Sequence, residues 1–299
     1  MAHKSKPWLH RCWPGRIKNP VFIVGCPRSG TTIFGRIVAE TPGFFYLNEP
    51  RYIWCHVNPR LDIWAYRNPI SEGVLYWDAN DLNLQDSVSL ARWFHLELHM
   101  RRRRRLIEKM PEHVFRLRWL SAMFPTAKFI HVIRHGRDVA LSLAEALTRW
   151  FPRGYWESSR HYGIFREYAA QRPGLSRKLR YIAESADNYP RGLFVWLCSV
   201  TEGRQAGCEL GPDRYMELRY EVLVSNAEHE LRRVFDFLDE RWVPSVFDYA
   251  NQVLRMDSLD KPDPDPALTR AIAGDLLDEL GYENIPVVER IEPATTLTY

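Results

Sequence analysis

Short apolar runs alternate with longer amphipathic segments along most of this chain. Runs of roughly four to eight apolar residues are typical of buried strands, whereas apolar positions that repeat every three or four residues are typical of helices. The predicted strands cover residues 20–25, 44–49, 105–109, 128–134 and 214–219. The predicted helices cover residues 31–40, 86–100, 113–123, 136–149, 188–207, 228–238 and 266–280. Strands separated by helices predict an α/β fold, in which a parallel sheet carries helices on both faces.

One predicted strand ends in a loop that is suited to binding an anion. Residues 25–32 read G-C-P-R-S-G-T-T, follow the apolar run 21–24 and lead into a predicted helix. The unpaired N–H groups and the positive dipole end at the start of a helix favour a bound anion. The glycine spacing is that of a P-loop, but Thr31 stands where a nucleoside triphosphatase has lysine, and Arg28 lies inside the loop. The loop therefore predicts a phosphate-type ligand other than a Mg-bound triphosphate.

Two further strand ends carry polar or aromatic side chains. Arg134 ends one strand, and Ser142 lies two turns into the helix that follows. A guanidinium fork and a helix hydroxyl can both donate hydrogen bonds to phosphate oxygens, although an ordinary strand-to-helix connection with Arg137 and Asp138 on its surface has the same pattern. Tyr220 follows another strand, where an aromatic side chain packed in the core is an equally good interpretation.

Together these segments resemble the PAPS-dependent sulfotransferases, where PAPS is 3′-phosphoadenosine 5′-phosphosulfate. This family has a phosphosulfate loop of the form P-[KR]-[ST]-G-[ST]-[TS], which residues 27–32 match. The motif intervals are closest to those of the bacterial and tyrosylprotein sulfotransferases. The resemblance implies a single P-loop-type domain at residues 20–285, between an N-terminal arm at 1–19 and a C-terminal tail at 286–299.

The resemblance also implies the residues that bind the co-substrate PAPS, whose product is PAP, with no metal. Those at the 5′-phosphate end are Arg28, Ser29, Gly30, Thr31 and Thr32. Those at the 3′-phosphate are Arg134, Ser142 and, in a shortened version of a family segment at 258–262, Lys261. Tyr220 matches a family tyrosine that lies near the adenine, although Val222 replaces the aspartate usual in that motif.

Glu49 is the catalytic base that the resemblance implies. It follows the apolar run 44–48 and precedes a proline, at the interval from the loop that the glutamate-using branch of the family keeps. The other branch has a histidine base at a place that is Pro111 here. The rival bases are His95 and Glu112. The alternative for Glu49 is a strand-end carboxylate that pairs with a cation such as Arg51.

Lys109 and Arg28 complete the catalytic residues that the resemblance implies. Lys109 keeps the family's interval to the segment 124–129. The implied reaction is an in-line transfer of a sulfuryl group to an acceptor hydroxyl, or to an amine. Glu49 takes the acceptor proton, while the two cations stabilise charge on the transferring group and the leaving phosphate.

Two aromatic-rich stretches, near 51–85 and 150–187, interrupt the alternation and are predicted to form the walls of the acceptor site. Packing in the core is the alternative for their aromatic side chains. The sequence does not decide among small-molecule, carbohydrate, lipid and peptide acceptors.

Composition bears on the cellular location of the protein and leaves the predicted fold unchanged. The 299 residues are 45% hydrophobic and carry a net charge of +4. No apolar run has the length of a membrane span, which is about 20 residues. Five cysteines without a CxxC motif favour reduced thiols and a cytoplasmic location. Cys26 is either a small loop residue or a reactive thiol at a helix start.

Two other functions compete with sulfuryl transfer. One is a P-loop kinase-like phosphotransferase, which the missing loop lysine disfavours. The other is a non-catalytic module that binds a nucleotide or a polyanion through the run Arg101 to Arg105 and the basic arm. That run is otherwise a solvated face or a surface that attracts anionic ligands. Nucleic acid is not expected, because no nucleic-acid-binding motif accompanies the run.

Overall fold

Five parallel strands form one sheet at the centre of the fold. The computed structural model describes residues 17–63, 73–150, 160–183, 187–256 and 259–282. The strands are β1 (Val21–Gly25), β2 (Phe44–Asn48), β3 (Arg105–Lys109), β4 (Lys128–Ile133) and β5 (Tyr215–Arg219). Their spatial order is β2-β3-β1-β4-β5, and all four pairings are parallel. The predicted α/β fold and its five strands are confirmed.

Helices connect the strands and cover both faces of the sheet. They are α1 (Thr31–Ala39), α2 (Arg51–Val57), α3 (Leu84–Met100), α4 (Leu117–Met123), α5 (Gly136–Trp150), α6 (Arg160–Ala170), α7 (Pro173–Ser176), α8 (Arg180–Ala183), α9 (Asn188–Leu210), α10 (Tyr220–Ser225), α11 (Ala227–Leu238), α12 (Pro244–Val253) and α13 (Pro266–Glu279). The predicted helix 113–123 instead begins as a 3-10 turn, Pro111–Arg116. None of the helices described is both long enough and apolar enough to cross a membrane.

The core has two layers, one on each face of the sheet. Side chains alternate between the faces along a strand, so Val21 and Ile23 pack with α1, α11 and α12, whereas Phe22 and Val24 pack on the opposite face. β1 and β3 are buried at every residue. Burial on both faces explains why β1 reads as a continuous apolar run, whereas β3 buries three charged residues, Arg105, Glu108 and Lys109, among its five.

The parallel register places the carboxyl ends of the strands at one edge. Asn48 lies beside Lys109, and Ile133 lies beside Arg219. Glu49, the P-loop, Arg134 and Tyr220 follow these strand ends directly. The structure therefore brings to one edge the segments that the sequence analysis selected.

The arginine run lies at the opposite edge of the sheet. Arg105 begins β3, whereas Lys109 ends it. Arg104 and Arg105 both pair with Glu240, and Arg101 pairs with Glu97. These contacts support a structural role for the run and place it away from the candidate site.

The two aromatic-rich stretches are partly helical rather than long loops. Residues 51–57 form α2, and residues 160–183 contain α6 to α8. Trp54, Trp77 and Phe165 are buried, which supports core packing for them, whereas Tyr52 is 41% exposed. Residues 64–72, 151–159, 184–186 and 257–258, most of the arm (1–16) and the tail at 286–299 lie outside the described residues.

A buried histidine gives the fold a measurable dependence on pH. His131 in β4 is fully buried, with its Nδ1 2.7 Å from the Tyr215 hydroxyl oxygen. Burial, together with Arg204 and Arg219, lowers the pKa of His131 to about 3. The unfolded chain takes up this proton near pH ~6.5 but the folded chain does not, so stability is lost as the pH falls below that value.

Replacing His131 with leucine should remove this part of the pH dependence. Between about pH 7.5 and about pH 5.5, the free energy of unfolding of the wild type should fall by about 1 kcal/mol more than that of His131→Leu. Urea denaturation of both proteins at both pH values measures the difference. Parallel falls would show that His131 is protonated in the folded state as well.

Candidate active site

The loop after β1 opens onto an uncapped helix start. Helix α1 begins at Thr31, and its N-cap, Gly30, has a left-handed backbone with φ 93°. The first helical hydrogen bond runs from Phe34 N–H to the Gly30 carbonyl, at 3.0 Å. Within the described part of the chain, no side chain caps this helix. Its first N–H groups and its positive dipole end are therefore available to an anion.

Gly30 is needed because an aromatic ring packs against it. A Cβ atom at Gly30 would lie 2.3 Å from the Tyr220 ring. Tyr220 is buried, and the Arg134 guanidinium lies over its ring at 5.2 Å. Tyr220 thus joins the P-loop to the Arg134 region. The burial of Tyr220 confirms that its ring packs in the core, and its place near a bound adenine stays a prediction.

Two buried residues inside the loop have different environments. Ser29 is fully buried, and no described group hydrogen-bonds to its Oγ. A buried polar atom without a partner is the kind of group that a bound anion satisfies. Cys26 is also fully buried, and burial raises the pKa of its thiol. The structural interpretation of Cys26 as a small loop residue therefore holds, and the reactive-thiol alternative is wrong.

Arg134 is held in place from three sides. It is 7% exposed and directly follows β4. Its carbonyl oxygen accepts a hydrogen bond from Trp196 Nε1 at 2.8 Å, and its Nη2 donates to Asp138 at 3.3 Å. The ring of Tyr220 supports the guanidinium plane. Such restraint pre-organises a guanidinium for an anion.

Arg28 and Ser142 contact each other. Arg28 has a left-handed backbone, with φ 74°, and its Nε donates to Ser142 Oγ at 3.0 Å. The contact joins the P-loop to α5 across 114 residues of sequence. The Arg28 side chain therefore lies beside the residue predicted to bind the 3′-phosphate.

Glu49 and Lys109 form an ion pair at the ends of β2 and β3. Lys109 Nζ lies 2.5 Å from Glu49 Oε1, and the backbone N–H of Glu49 donates to the Lys109 carbonyl at 2.8 Å. The Lys109 side chain is fully buried, whereas that of Glu49 is 31% exposed. Glu49 has φ 50°, a left-handed turn that ends the strand and turns the chain into α2. The carboxylate is thus fixed by a buried cation but still open to solvent.

Arg51 adds a second cation to this pair. Its Nη1 pairs with Glu49 Oε2, and its Nη2 donates to Glu112 Oε1 at 3.1 Å. Burial alone would raise the pKa of Glu49, but the charges of Lys109 and Arg51 outweigh it and lower that pKa. Burial lowers the pKa of Lys109, and Glu49 partly offsets this. Glu49 is therefore ionised at neutral pH.

The three candidate bases, Glu49, Glu112 and His95, have different surroundings. The pairing with Arg51 that was the alternative for Glu49 is present, together with the pairing to Lys109. Glu112 is 4% exposed and anchors Arg51 rather than facing an acceptor. His95 lies late in α3, a helix that leads to the beginning of β3 and therefore to the opposite edge of the sheet.

Two anchoring carboxylates were not foreseen from the sequence. Glu221, which follows Tyr220, accepts hydrogen bonds from the His135 N–H at 2.7 Å and from the Tyr282 hydroxyl at 3.2 Å. Asp138 accepts the backbone N–H groups of Asp260 and Lys261. The "R-Y-E" and "G-R-D" segments contained both residues, but their partners come from distant parts of the chain.

Lys261 reaches the same region through its backbone. Its N–H donates to Asp138 Oδ1 at 3.2 Å, and the residue is partly exposed. The segment that starts at Leu259 therefore lies against the beginning of α5, close to Arg134. Ser258, from the same motif, lies outside the described residues.

Comparison with known proteins identifies the class of protein that this fold and site define. The family model described as "Sulfotransferase family" matches residues 20–244, and the chain belongs to this family. The sulfotransferase domain of the Synechococcus PCC 7002 olefin synthase has a TM-score of 0.50 at 20% identity, covering 92% of this chain and 98% of that domain. Sulfotransferase STF9 from Mycobacterium avium has a TM-score of 0.50 at 14% identity, covering 92% and 79%. Both likenesses show the fold.

Two curated relatives are similar in sequence. Omega-hydroxy-beta-dihydromenaquinone-9 sulfotransferase Stf3 of Mycobacterium tuberculosis is 28% identical over 267 aligned residues, covering 82% of this chain and 60% of the relative. Protein-tyrosine sulfotransferase of Drosophila melanogaster is 24% identical over 230 aligned residues, covering 76% of this chain and 39% of the relative. The chain therefore spans about 60% of the first relative and less of the second.

Gly30→Ala should abolish anion binding at the loop, because the added Cβ would clash with Tyr220. At a PAP concentration of about 100 times Kd, the wild type should gain about 4 °C in its melting midpoint, and the variant should gain almost nothing. Thermal denaturation with and without PAP measures this.

Gly211→Ala is the matched control. Gly211 also has a positive φ, 75°, but a Cβ atom there meets no atom within 4 Å. Gly211→Ala therefore introduces the same kind of backbone strain without a steric clash. Its melting midpoint should rise with PAP by as much as that of the wild type. A full PAP response from Gly30→Ala would rule out the loop as the phosphate site.

Proposed function

We propose that this chain transfers a sulfuryl group from PAPS to an acceptor hydroxyl. The observation that carries the proposal is the Glu49–Lys109 ion pair, which lies at the same sheet edge as the uncapped start of α1. A general base, a cation for the leaving oxygen and an anion-binding loop are the groups that such a transfer requires.

The donor would bind along this edge through both of its phosphates. The N–H groups at the start of α1, with the hydroxyls of Ser29, Thr31 and Thr32, would hold the 5′-phosphosulfate. Gly30 supports this fit, because it leaves the loop open where any side chain would meet Tyr220.

The other end of the donor would meet a second group of cations. Arg134 and Ser142 would hold the 3′-phosphate, with Lys261 beside them, and Tyr220 would lie near the adenine. The buried, three-sided restraint of Arg134 supports this assignment. A guanidinium fork binds phosphate oxygens in pairs, which makes it selective as well as attractive.

Glu49 would take the proton of the acceptor while the acceptor oxygen attacks sulfur. A bond forms between the acceptor oxygen and sulfur, the bond from sulfur to the bridging phosphate oxygen breaks, and PAP leaves with the electron pair. Lys109 would stabilise the negative charge on the leaving group, and Arg28 would stabilise that on the transferring group after exchanging its contact with Ser142 Oγ for the donor. Because the pKa of Glu49 is lowered, the base is already in its ionised form at neutral pH.

Lys109 has two roles in this mechanism, and they compete. While Lys109 is bonded to Glu49 it weakens the basicity of that carboxylate. When the leaving oxygen draws Lys109 away, the pKa of Glu49 rises towards its ordinary value. The exchange would strengthen the base when a donor is present. Arg51, anchored by Glu112, would keep the carboxylate oriented throughout.

The acceptor is proposed to be a hydroxyl rather than an amine. The names of the two curated relatives refer to an omega-hydroxy compound and to protein tyrosine, and both offer a hydroxyl. Tyr52, which is 41% exposed and lies three residues from Glu49 in the sequence, would lie beside such an acceptor.

The two competing functions have less support. A kinase-like reaction lacks the loop lysine, whose place Thr31 takes. A polyanion-binding module would use the arginine run, but that run lies at the opposite edge and pairs with Glu240 and Glu97. Neither alternative accounts for the Glu49–Lys109 pair.

Glu49→Gln should stop catalysis without disturbing donor binding, because the amide keeps the shape and loses the basicity. Turnover should fall by about 10²–10⁴-fold, the usual contribution of a positioned base. PAPS labelled on sulfur, with an extract of the source cells as the acceptor pool, measures turnover, and calorimetry with PAP measures binding.

His95→Ala is the matched control for the rival base, and its turnover should stay within about threefold of the wild type. Near-normal turnover in Glu49→Gln combined with an inactive His95→Ala would assign the base to the histidine. Loss of PAP binding in Glu49→Gln would make Glu49 a structural residue.

A further inference from the structure

Asp138 is a buried carboxylate that the reaction itself does not use. It lies in the first turn of α5 and is 1% exposed. Its Oδ2 accepts hydrogen bonds from Arg134 Nη2 at 3.3 Å and from the Asp260 N–H at 3.1 Å. Its Oδ1 accepts from Arg137 Nε at 3.2 Å and from the Lys261 N–H at 3.2 Å. Each oxygen thus receives one guanidinium group and one backbone N–H.

A carboxylate can accept from all four of these donors, and an amide cannot. A carboxylate has about four acceptor positions and no donor, whereas asparagine presents an NH₂ donor on one side. Whichever way an asparagine at 138 turned, its NH₂ group would face one guanidinium and one N–H. The isosteric change Asp138→Asn therefore breaks half of the arrangement while it keeps the shape.

The contacts of Asp138 connect two parts of the chain that lie 122 residues apart. Arg134 follows β4, and Lys261 lies in the segment that begins at Leu259. Asp260 has a left-handed φ of 53°, and its carboxylate pairs with Arg137 at 2.8 Å. This turn directs two successive N–H groups at one carboxylate. Asp138 thereby sets the distance between Arg134 and the Lys261 backbone.

Burying the Asp138 carboxylate beside a site for phosphate has a cost in free energy. The carboxylate weakens the attraction of the site for an anion, even with Arg134 and Arg137 to balance it. Holding the Arg134 guanidinium and the Lys261 backbone in register offsets this cost, because groups that are already in place lose less entropy when a phosphate binds.

We propose that Asp138 is a positioning residue that gives this site its selectivity for a nucleotide with a 3′-phosphate. It acts through Arg134 and Lys261, which it holds as a pair around the place of that phosphate. The inference rests on the proposed PAPS site and deepens it.

PAP and AMP separate this effect from a general loss of structure, because they differ only in the 3′-phosphate. Asp138→Asn should weaken PAP binding by about 10–100-fold, the same loss that follows when a group that orients a metal-binding side chain is removed. AMP binding should change by less than about twofold, so the ratio of PAP affinity to AMP affinity should fall. With PAPS, KM should rise while kcat stays near that of the wild type.

Asp265→Asn is the matched control. Asp265 caps α13 in the same segment through the Leu268 N–H, and the hydrogen bonds of Asp265 within the described residues involve neither Arg134 nor Lys261. The same chemical change there should leave the PAP-to-AMP ratio unchanged. An equal fall in the ratio for both variants would overturn the proposal.

A double-mutant cycle tests the positioning role in a second way. Adding Lys261→Ala to Asp138→Asn should weaken PAP binding less than Lys261→Ala does in the wild type. Once Asp138 no longer holds its segment, Lys261 contributes less to PAP binding, so its removal costs less. Strict additivity would contradict the proposal. Equal losses of affinity for PAP and for AMP would also contradict it. So would an Asp138→Asn variant that folds only in part and whose folded molecules keep the wild-type ratio of PAP to AMP affinity. A wild type that does not prefer PAP over AMP would instead refute the PAPS site itself.

Discussion

The parallel register of the five strands determines which side chains can meet in this protein. Hydrogen-bonded ladders place Asn48 beside Lys109 and Ile133 beside Arg219, so residues far apart in sequence end at one edge. Each strand then turns into a helix or a loop at that edge. The base, the buried lysine, the anion loop and the restrained arginine are neighbours for this reason, and a slip of one residue would separate them.

Charge pairing is the second constraint, because several of these groups are buried. An isolated buried cation is costly, and Lys109 and Arg134 each have a carboxylate partner. The two partners differ in exposure: Glu49 is partly open to solvent, whereas Asp138 is not. A solvent-exposed carboxylate such as Glu49 can exchange its partner for a substrate. A buried carboxylate such as Asp138 can only hold its partners in place. The same residue type thus supports two different roles.

The sequence predicted the strands to within about one residue, since each is a short segment with two or more adjacent apolar or aromatic residues that ends at or next to a polar or glycine position. Glu49, Lys109 and Arg134 were selected through the resemblance to a family, and each falls at the end of a predicted strand. The sequence did not predict the anchoring by Glu221 and Asp138. Both look like ordinary first-turn residues, and their partners come from segments more than 60 positions away. Contacts of that kind depend on how the helices pack, which periodicity does not encode.

The central claim is that this sheet edge binds a nucleotide with phosphates at both the 5′ and the 3′ positions. Calorimetric titration of the wild type with PAP, with ATP plus Mg²⁺ and with heparin tests it most directly. Because the 3′-phosphate adds charge-assisted hydrogen bonds, PAP should bind at least about 100-fold more tightly than either of the others. Tighter binding of ATP plus Mg²⁺ would indicate a phosphotransferase, and tighter binding of heparin would indicate a polyanion-binding module; either result would contradict the account.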